Sequence, residues 1–282
     1  MNHLNVKEAL TRHGLAPSKR LGQNFLVQPH IAEQIVEAAD IVPGSTVVEL
    51  GVGLGSLTIP LAARAGRVVG IEIDAGIVEY HRKSDTLPPN VELRHQDLLE
   101  TDYSALSREE GGALTIIANL PYSITNPLLF KLLEHHQALA KAVLMVQKEV
   151  ALRLNAAVNT KEYGVLTVVL GGCAEIKTLL AVGPGNFYPR PKVDSLVVGI
   201  KFNDNPMIND LARFERLRAV VDTAFRQRRK TLLNSLSAAT GLGIDRQQAA
   251  AALDKAGIEP TLRAENLSTE DFIRLAEAIP KR

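Results

Sequence analysis

One cysteine in 282 residues, Cys173, excludes an internal disulfide and any zinc site built from several thiolates. The seven histidines lack HxxxH-type spacing, and His135 and His136 are adjacent and so cannot share a helix face. No metal site is indicated. Charge of one sign is not in excess either. The net charge is +1, so any basic surface for a polyanion must come from local clustering. No run of about 18 uninterrupted apolar residues occurs, and the charges scattered from Lys7 to Arg20 leave no signal-peptide core. The expectation is a cytoplasmic protein without membrane contact. What is present is ordinary for a globular chain, with 46% hydrophobic and 22% charged residues. The length suffices for one large α/β domain plus a smaller one.

Short, apolar, β-branched runs alternate with helical patterns. Thr46–Leu50, Val68–Glu72, Val91–Leu93, Thr115–Ala118 and Ala142–Val146 read as strands, with helices between them, for example over Ser56–Ala65 and Asn126–His135. The alternation predicts βαβ units and a mostly parallel, doubly wound sheet. Val165–Leu170, Ile176–Val182 and Ser195–Phe202 then read as further strands forming an antiparallel end. The pattern breaks around Asn203–Pro206, and from Leu211 onward it reads helical. The predicted domains are 1–203 and 204–282.

The first strand runs into Glu49-Leu50-Gly51-Val52-Gly53-Leu54-Gly55, a glycine-rich turn opening a helix. Such a turn brings backbone close to a ligand without Cβ obstruction. It also serves NAD-binding folds and plain tight turns. Glu72 stands 21 residues after Gly51 at the end of the second strand, where a carboxylate accepts ribose hydroxyls; NAD and S-adenosylmethionine fit equally. Asp97 follows the third strand, where it either accepts from an adenine amine or caps a turn. The fourth strand ends at Asn119, in Asn119-Leu120-Pro121-Tyr122. Polar groups at successive strand ends face the crevice where open α/β sheets bind ligands.

Together these residues resemble the successive motifs of class I S-adenosylmethionine-dependent methyltransferases, a Rossmann-like fold. The Asn119-Leu120-Pro121-Tyr122 tetrapeptide has the form found in enzymes that methylate the exocyclic amine of adenine. Further stretches are similar to the small-subunit ribosomal RNA adenine dimethyltransferases (KsgA/RsmA type). They are Arg20–Leu26, Gln147–Val150, Phe187–Ser195, Phe225–Leu232 and Arg263–Ser268. Val52 departs from a common proline, and Ser123 from a common Asn or Gln. The resemblance implies that Asn24 and Leu26 close over the cofactor, while Gly51, Gly53, Glu72, Asp97, Leu98 and Asn119 line it. Asn24 read alone is equally a cap or turn residue. The resemblance also implies a mechanism. The Asn119 side-chain oxygen and the Leu120 carbonyl accept the two N–H bonds of the amine, Pro121 stiffens the turn, and Tyr122 stacks on the base. Phe187 covers the base's other face, unless it is a core aromatic. S-adenosylhomocysteine is the implied product. The implied partner is small-subunit rRNA in an immature 30S particle, engaged by a monomer.

Phe225–Leu236 reads as an amphipathic helix with Arg226, Arg229 and Lys230 on one face and Phe225, Leu232 and Leu236 on another. The basic face is either solvated surface or, as the resemblance implies, a site for RNA phosphates. Lys19 and Arg20 belong to a second basic patch. The competing readings are a large-subunit adenine methyltransferase of the macrolide-resistance type, a non-catalytic assembly or transcription factor, and a nicotinamide dehydrogenase.

Overall fold

The computed structural model describes residues 6–18, 20–203, 211–238 and 242–280. Its contacts separate two compact units, Met1–Ala151 with Lys177–Lys201, and Leu152–Ile176 with Phe202–Arg282. A single cut at 203/204 does not describe that division, because Leu152–Ile176 clusters with the C-terminal helices. The expected boundary itself adjoins residues 204–210, which lie outside the described ones.

The first unit begins with α1 (Val6–Arg12), β1 (Phe25–Leu26) and α2 (Pro29–Ala38). It continues as β2 (Thr46–Leu50), α3 (Thr58–Ala62), β3 (Arg67–Glu72), α4 (Ala75–Ser84), β4 (Val91–His95), α5 (Tyr103–Glu109), β5 (Leu114–Asn119), α6 (Thr125–Glu134) and β6 (Leu139–Gln147). Then come β7 (Ala174–Val182), β8 (Phe187–Tyr188) and β9 (Ser195–Phe202). Seven strands form one sheet in the order β4-β3-β2-β5-β6-β9-β7, while β1 and β8 make a separate two-stranded ribbon. The β2–β3, β3–β4, β2–β5 and β5–β6 pairs are parallel, and β9 runs antiparallel to β6. The expected antiparallel end is therefore present.

Val47, Val48 and Leu50 of β2 and Val68, Val69 and Ile71 of β3 are completely buried. That is why these strands read as continuous apolar runs rather than alternating ones. Chain order reverses between β2 and β5, so the crevice outside their carboxyl ends is the topological switch point of the sheet. Gly51 follows β2 and Asn119 ends β5; both sit at that crevice.

The second unit holds α7 (Lys148–Leu154) in part, α8 (Val165–Gly171), α9 (Leu211–Arg226), α10 (Leu232–Ser237), α11 (Arg246–Ala256) and α12 (Thr269–Ala278). Two expectations are corrected here. Val165–Leu170 is helical, not a strand. Gly164 caps it through an N–H bond to the Thr167 hydroxyl, which in turn donates to the Arg153 carbonyl. Val168, Val169 and Leu170 are buried in this unit. A six-residue apolar run has no period that separates a buried strand from a buried helix, and packing decided.

Nor is Phe225–Leu236 one helix. The chain leaves α9 at Arg226, turns through Gln227–Thr231, and re-enters helix at Leu232. Arg228 holds the turn, donating to Glu265 Oε2 at 2.6 Å and to the carbonyls of Lys161 (2.7 Å) and Thr160 (2.8 Å). Phe225 stacks on Phe272, with 5.8 Å between ring centroids. Glu265, Asn266 and Ser268 are all structural here: Asn266 bonds Asn159, and Ser268 caps α12.

Candidate functional site

A cavity of about 300 Å³ opens at the carboxyl edge of the sheet, within the first unit. That is the lower end of the range for small-ligand sites. Its wall includes Asn24, Leu26, Gly51, Gly53, Glu72, Asp97, Leu98, Asn119, Leu120 and Pro121. Arg20, expected on an RNA-binding patch, lines the same cavity. Tyr122 and Phe187 stand off it. Arg226, Arg229 and Lys230 lie exposed in the second unit, and Lys19 lies outside the described residues.

The glycine turn has φ of +83° at Gly51, +54° at Gly53 and +87° at Gly55, left-handed conformations that a side chain would strain. Two side chains brace it, Val52 in the cavity wall and His81 from α4. Val52 is buried against Gly70 of β3, where a Cβ would come within 2.5 Å of Val52 Cγ2. The valine thus has a seat of its own against β3. His81, on α4, bonds the Gly53 carbonyl through Nε2 at 2.7 Å and Thr86 through Nδ1 at 2.6 Å. Burial holds its pKa below the usual histidine range, so the neutral ring donates to Gly53 and accepts from Thr86.

Glu72 is nearly buried, and its carboxylate accepts three backbone N–H groups, from Gly53, Ile73 and Asp74, each at 2.9 Å. Burial raises its pKa while those bonds pull the other way. The same acid therefore pins the glycine turn and the β3–α4 corner; Oε1 takes the Ile73 and Asp74 bonds, while Oε2, with the Gly53 bond alone, keeps a lone pair for a ligand hydroxyl. Asp97 Oδ1 accepts the Leu99 N–H at 2.8 Å, so its turn-capping role is real and leaves Oδ2 available. Asn24 donates its side-chain amide to the Gly22 carbonyl, which is the turn role the residue alone suggested.

Asn119 donates through Nδ2 to the Asn24 carbonyl at 3.2 Å. With the amide nitrogen engaged there, its Oδ1 is the atom left to accept from a ligand. Leu120 is fixed by its N–H to the Met145 carbonyl, and the Pro121 carbonyl accepts from both Ile124 N–H and Thr125 Oγ1. These bonds set the turn that carries the Leu120 carbonyl. Tyr122 is half-buried, and its hydroxyl pairs with the fully buried Ser195 at 2.7 Å. Ser123 faces Gly22, where a Cβ would come within 2.8 Å of the serine hydroxyl. Phe187 is 4% exposed and belongs to the core cluster with Leu26, its partner across the β1–β8 ribbon.

Glu49 opens the glycine-turn motif, but the sequence assigned it no role. It lies on β2, 1% exposed, lines the cavity, and its Oε2 has no hydrogen-bond partner among the described residues. Burial pushes its carboxyl up to about 8, with the Glu72 charge adding to the shift. The signal was an acid inside an otherwise apolar strand. Gln23 also lines the cavity and was not singled out.

The profile of the ribosomal RNA adenine dimethylase family matches residues 16–281. The ribosomal RNA small subunit methyltransferase A of Desulfotalea psychrophila is 47% identical, over 94% of this chain and 92% of its own length. That of Pelotomaculum thermopropionicum is 42% identical, over 97% and 95%. Among solved structures, a dimethyladenosine transferase from Plasmodium falciparum superposes with a TM-score of 0.75 at 27% identity, covering 89% of this chain and 95% of that one. The 23S rRNA methyltransferase ErmE superposes with 0.64 at 28% identity, covering 91% and 99%. Matched along nearly its whole length, the chain belongs to the ribosomal RNA adenine dimethylase family.

Proposed function

We propose that this protein is an S-adenosylmethionine-dependent methyltransferase that dimethylates N6 of two adjacent adenosines near the 3′ end of small-subunit (16S) rRNA during 30S biogenesis. The observation that carries the chemistry is Asn119, at the switch-point crevice with its amide nitrogen tied back to Asn24. The cofactor, when bound, supplies an electrophilic methyl group on a sulfonium. The chain's residues hold and aim. The turn from Gly51 to Gly55 and the Glu72 carboxylate suit the methionine and ribose portions, and Asp97 and Leu98 the adenine.

An adenine amine is a weak nucleophile because its lone pair is delocalised into the ring. Asn119 Oδ1 and the Leu120 carbonyl accept its two N–H bonds, let the nitrogen pyramidalise, and point the lone pair at the methyl. Positioning of this kind supplies most of the rate. The amine loses its proton after transfer, so no general base is needed. The base reaches the crevice unstacked, with Tyr122 as a stacking face whose tilt Ser195 fixes. Phe187, buried beside Leu26, acts here as support for the ribbon. S-adenosylhomocysteine is the product left behind.

We infer that a monomer works in the cytoplasm on immature small subunits; among the described residues no helix is long and apolar enough to cross a membrane. The relatives named for the small subunit reach 47% identity and the large-subunit enzyme ErmE 28%, which favours the small subunit. Incubation with labelled S-adenosylmethionine and immature small subunits should place label on two neighbouring adenines near the 3′ end of 16S rRNA. Label confined to large-subunit RNA would overturn the assignment.

The exposed cations Arg226, Arg229 and Lys230 suit RNA phosphates. Changing all three to alanine should weaken binding to small subunits and lower the slope of log affinity against log salt by about 2. Filter binding across a salt series measures this, and an unchanged slope would remove them from the interface.

A further inference from the structure

Ser18 and the stretch 20–24 touch both halves of the site, and one side chain does most of the fastening. Gln23 accepts the Ser18 N–H through Oε1 at 2.7 Å and donates through Nε2 to Asp74 Oδ2 at 2.8 Å, a bond spanning 51 residues. The Gln23 N–H returns to the Ser18 carbonyl, and the Ser18 hydroxyl accepts the Leu21 N–H, which ties both residues to Ser18. Asp74 is a rigid post. Its Oδ1 caps α4 by accepting from Gly76 and Ile77, and its own N–H donates to Glu72. One residue beyond Gln23, the Asn24 carbonyl receives the Asn119 amide. On the other side Gly22, at φ +66°, approaches so closely that a Cβ would lie 2.8 Å from the Ser123 hydroxyl.

A primary amide has two orientations of almost equal shape, and its partners decide which end faces a ligand. A carbonyl behind Asn119 admits only the orientation with nitrogen toward Asn24, since the flipped one would set oxygen against oxygen. We infer that Gln23 is a positioning residue for methyl transfer: tying the segment to Asp74, it holds the Asn24 carbonyl on Asn119 and keeps the acceptor oxygen aimed at the adenine amine. The inference rests on the function proposed above. It also gives Ser123 a role, as the floor on which Gly22 rests.

The test is a swap of polarity. Gln23→Glu keeps the acceptor for Ser18 but sets a carboxylate against Asp74. Adding Asp74→Asn, with its oxygen still capping α4 and its nitrogen facing residue 23, restores the hydrogen bond in the reverse direction. Methyl transfer to immature small subunits is measured at saturating S-adenosylmethionine, with cofactor affinity measured by calorimetry. Gln23→Glu should lower kcat about tenfold or more, and the pair should recover to within about threefold of the parent. If Gln23→Glu fails to fold, Gln23→Met removes both side-chain bonds without adding charge and should show the same loss of kcat. An unchanged kcat with only a raised KM for the cofactor would overturn the inference, leaving a strap that acts on the cofactor alone. So would a double variant no better than the single one. Transfer by the parent protein in the same assay separates failure of this inference from failure of the proposed function.

Discussion

Replacing Asn119 with alanine should abolish methyl transfer, lowering kcat by about 10²–10³-fold or more, while S-adenosylmethionine affinity stays within a few-fold. The magnitude is that of deleting one preorganised polar group from a site where charge develops. The split between the two readouts follows from geometry. In the proposed site, cofactor-side anchoring is distributed over the glycine turn, Glu72 and Asp97, and Glu72 is itself held by three backbone N–H groups that alanine at 119 does not disturb. The amine, in contrast, is given two acceptors by the proposed mechanism, the Asn119 oxygen and the Leu120 carbonyl. Single-turnover kinetics with pre-bound cofactor separate chemistry from binding. Turnover near that of the parent would rule out the acceptor role. Asn119→Asp adds a finer discrimination, since it keeps an acceptor oxygen but loses the N–H that answers the Asn24 carbonyl. It should lose activity as well, because orientation and not just acceptor chemistry is at stake.

The parts of this site visible in the sequence are those with local signatures. Gly51, Glu72 and Asn119 each close an apolar run with a polar or flexible residue, and Asp97 follows the third strand by two residues. A parallel sheet brings every such stop to one edge, so linear order already implied a common crevice. Gln23 and Asp74 had no such signature, since their bond joins residues 51 apart and each side chain looks locally like turn chemistry. The second unit was misread at two points for related reasons. The six residues from Val165 are β-branched and apolar, yet they are helical because a helical unit buries them, and propensity yields to that burial. The amphipathic pattern from Phe225 runs across a real break, because the turn at 227–231 is held by Arg228 from outside its own stretch, by Glu265 and the carbonyls of residues 160 and 161. A helical wheel carries no record of such partners. Phe187 shows how far a motif reaches: its position in the chain was clear, but burial on the β1–β8 ribbon is a tertiary fact.

Glu49→Gln should stabilise the protein at pH 8 and change little near pH 5. In the folded protein the Glu49 carboxyl keeps its proton up to about 8, whereas in the unfolded chain it loses it near 4.5. Between those values the folded state binds more protons than the unfolded one, so stability is full below the lower pKa and declines as pH rises through the window. At 1.36 kcal/mol per pKa unit the decline is on the order of 4 kcal/mol. For a unit of this size that amounts to roughly 10 °C in Tm. Glutamine fills the same volume and does not ionise, so the variant escapes this decline. The contribution of Glu72, raised in the same direction, is common to both proteins and largely cancels in the difference. Thermal melts of parent and variant from pH 5 to pH 9 measure that difference directly. A gap that stays constant across the range would mean that Glu49 ionises freely in the folded state. A carboxyl with an unpartnered oxygen, buried on a strand that otherwise carries apolar side chains, works against folding as the pH rises. Its place in the wall of the cavity marks that cost as one borne by the proposed binding site.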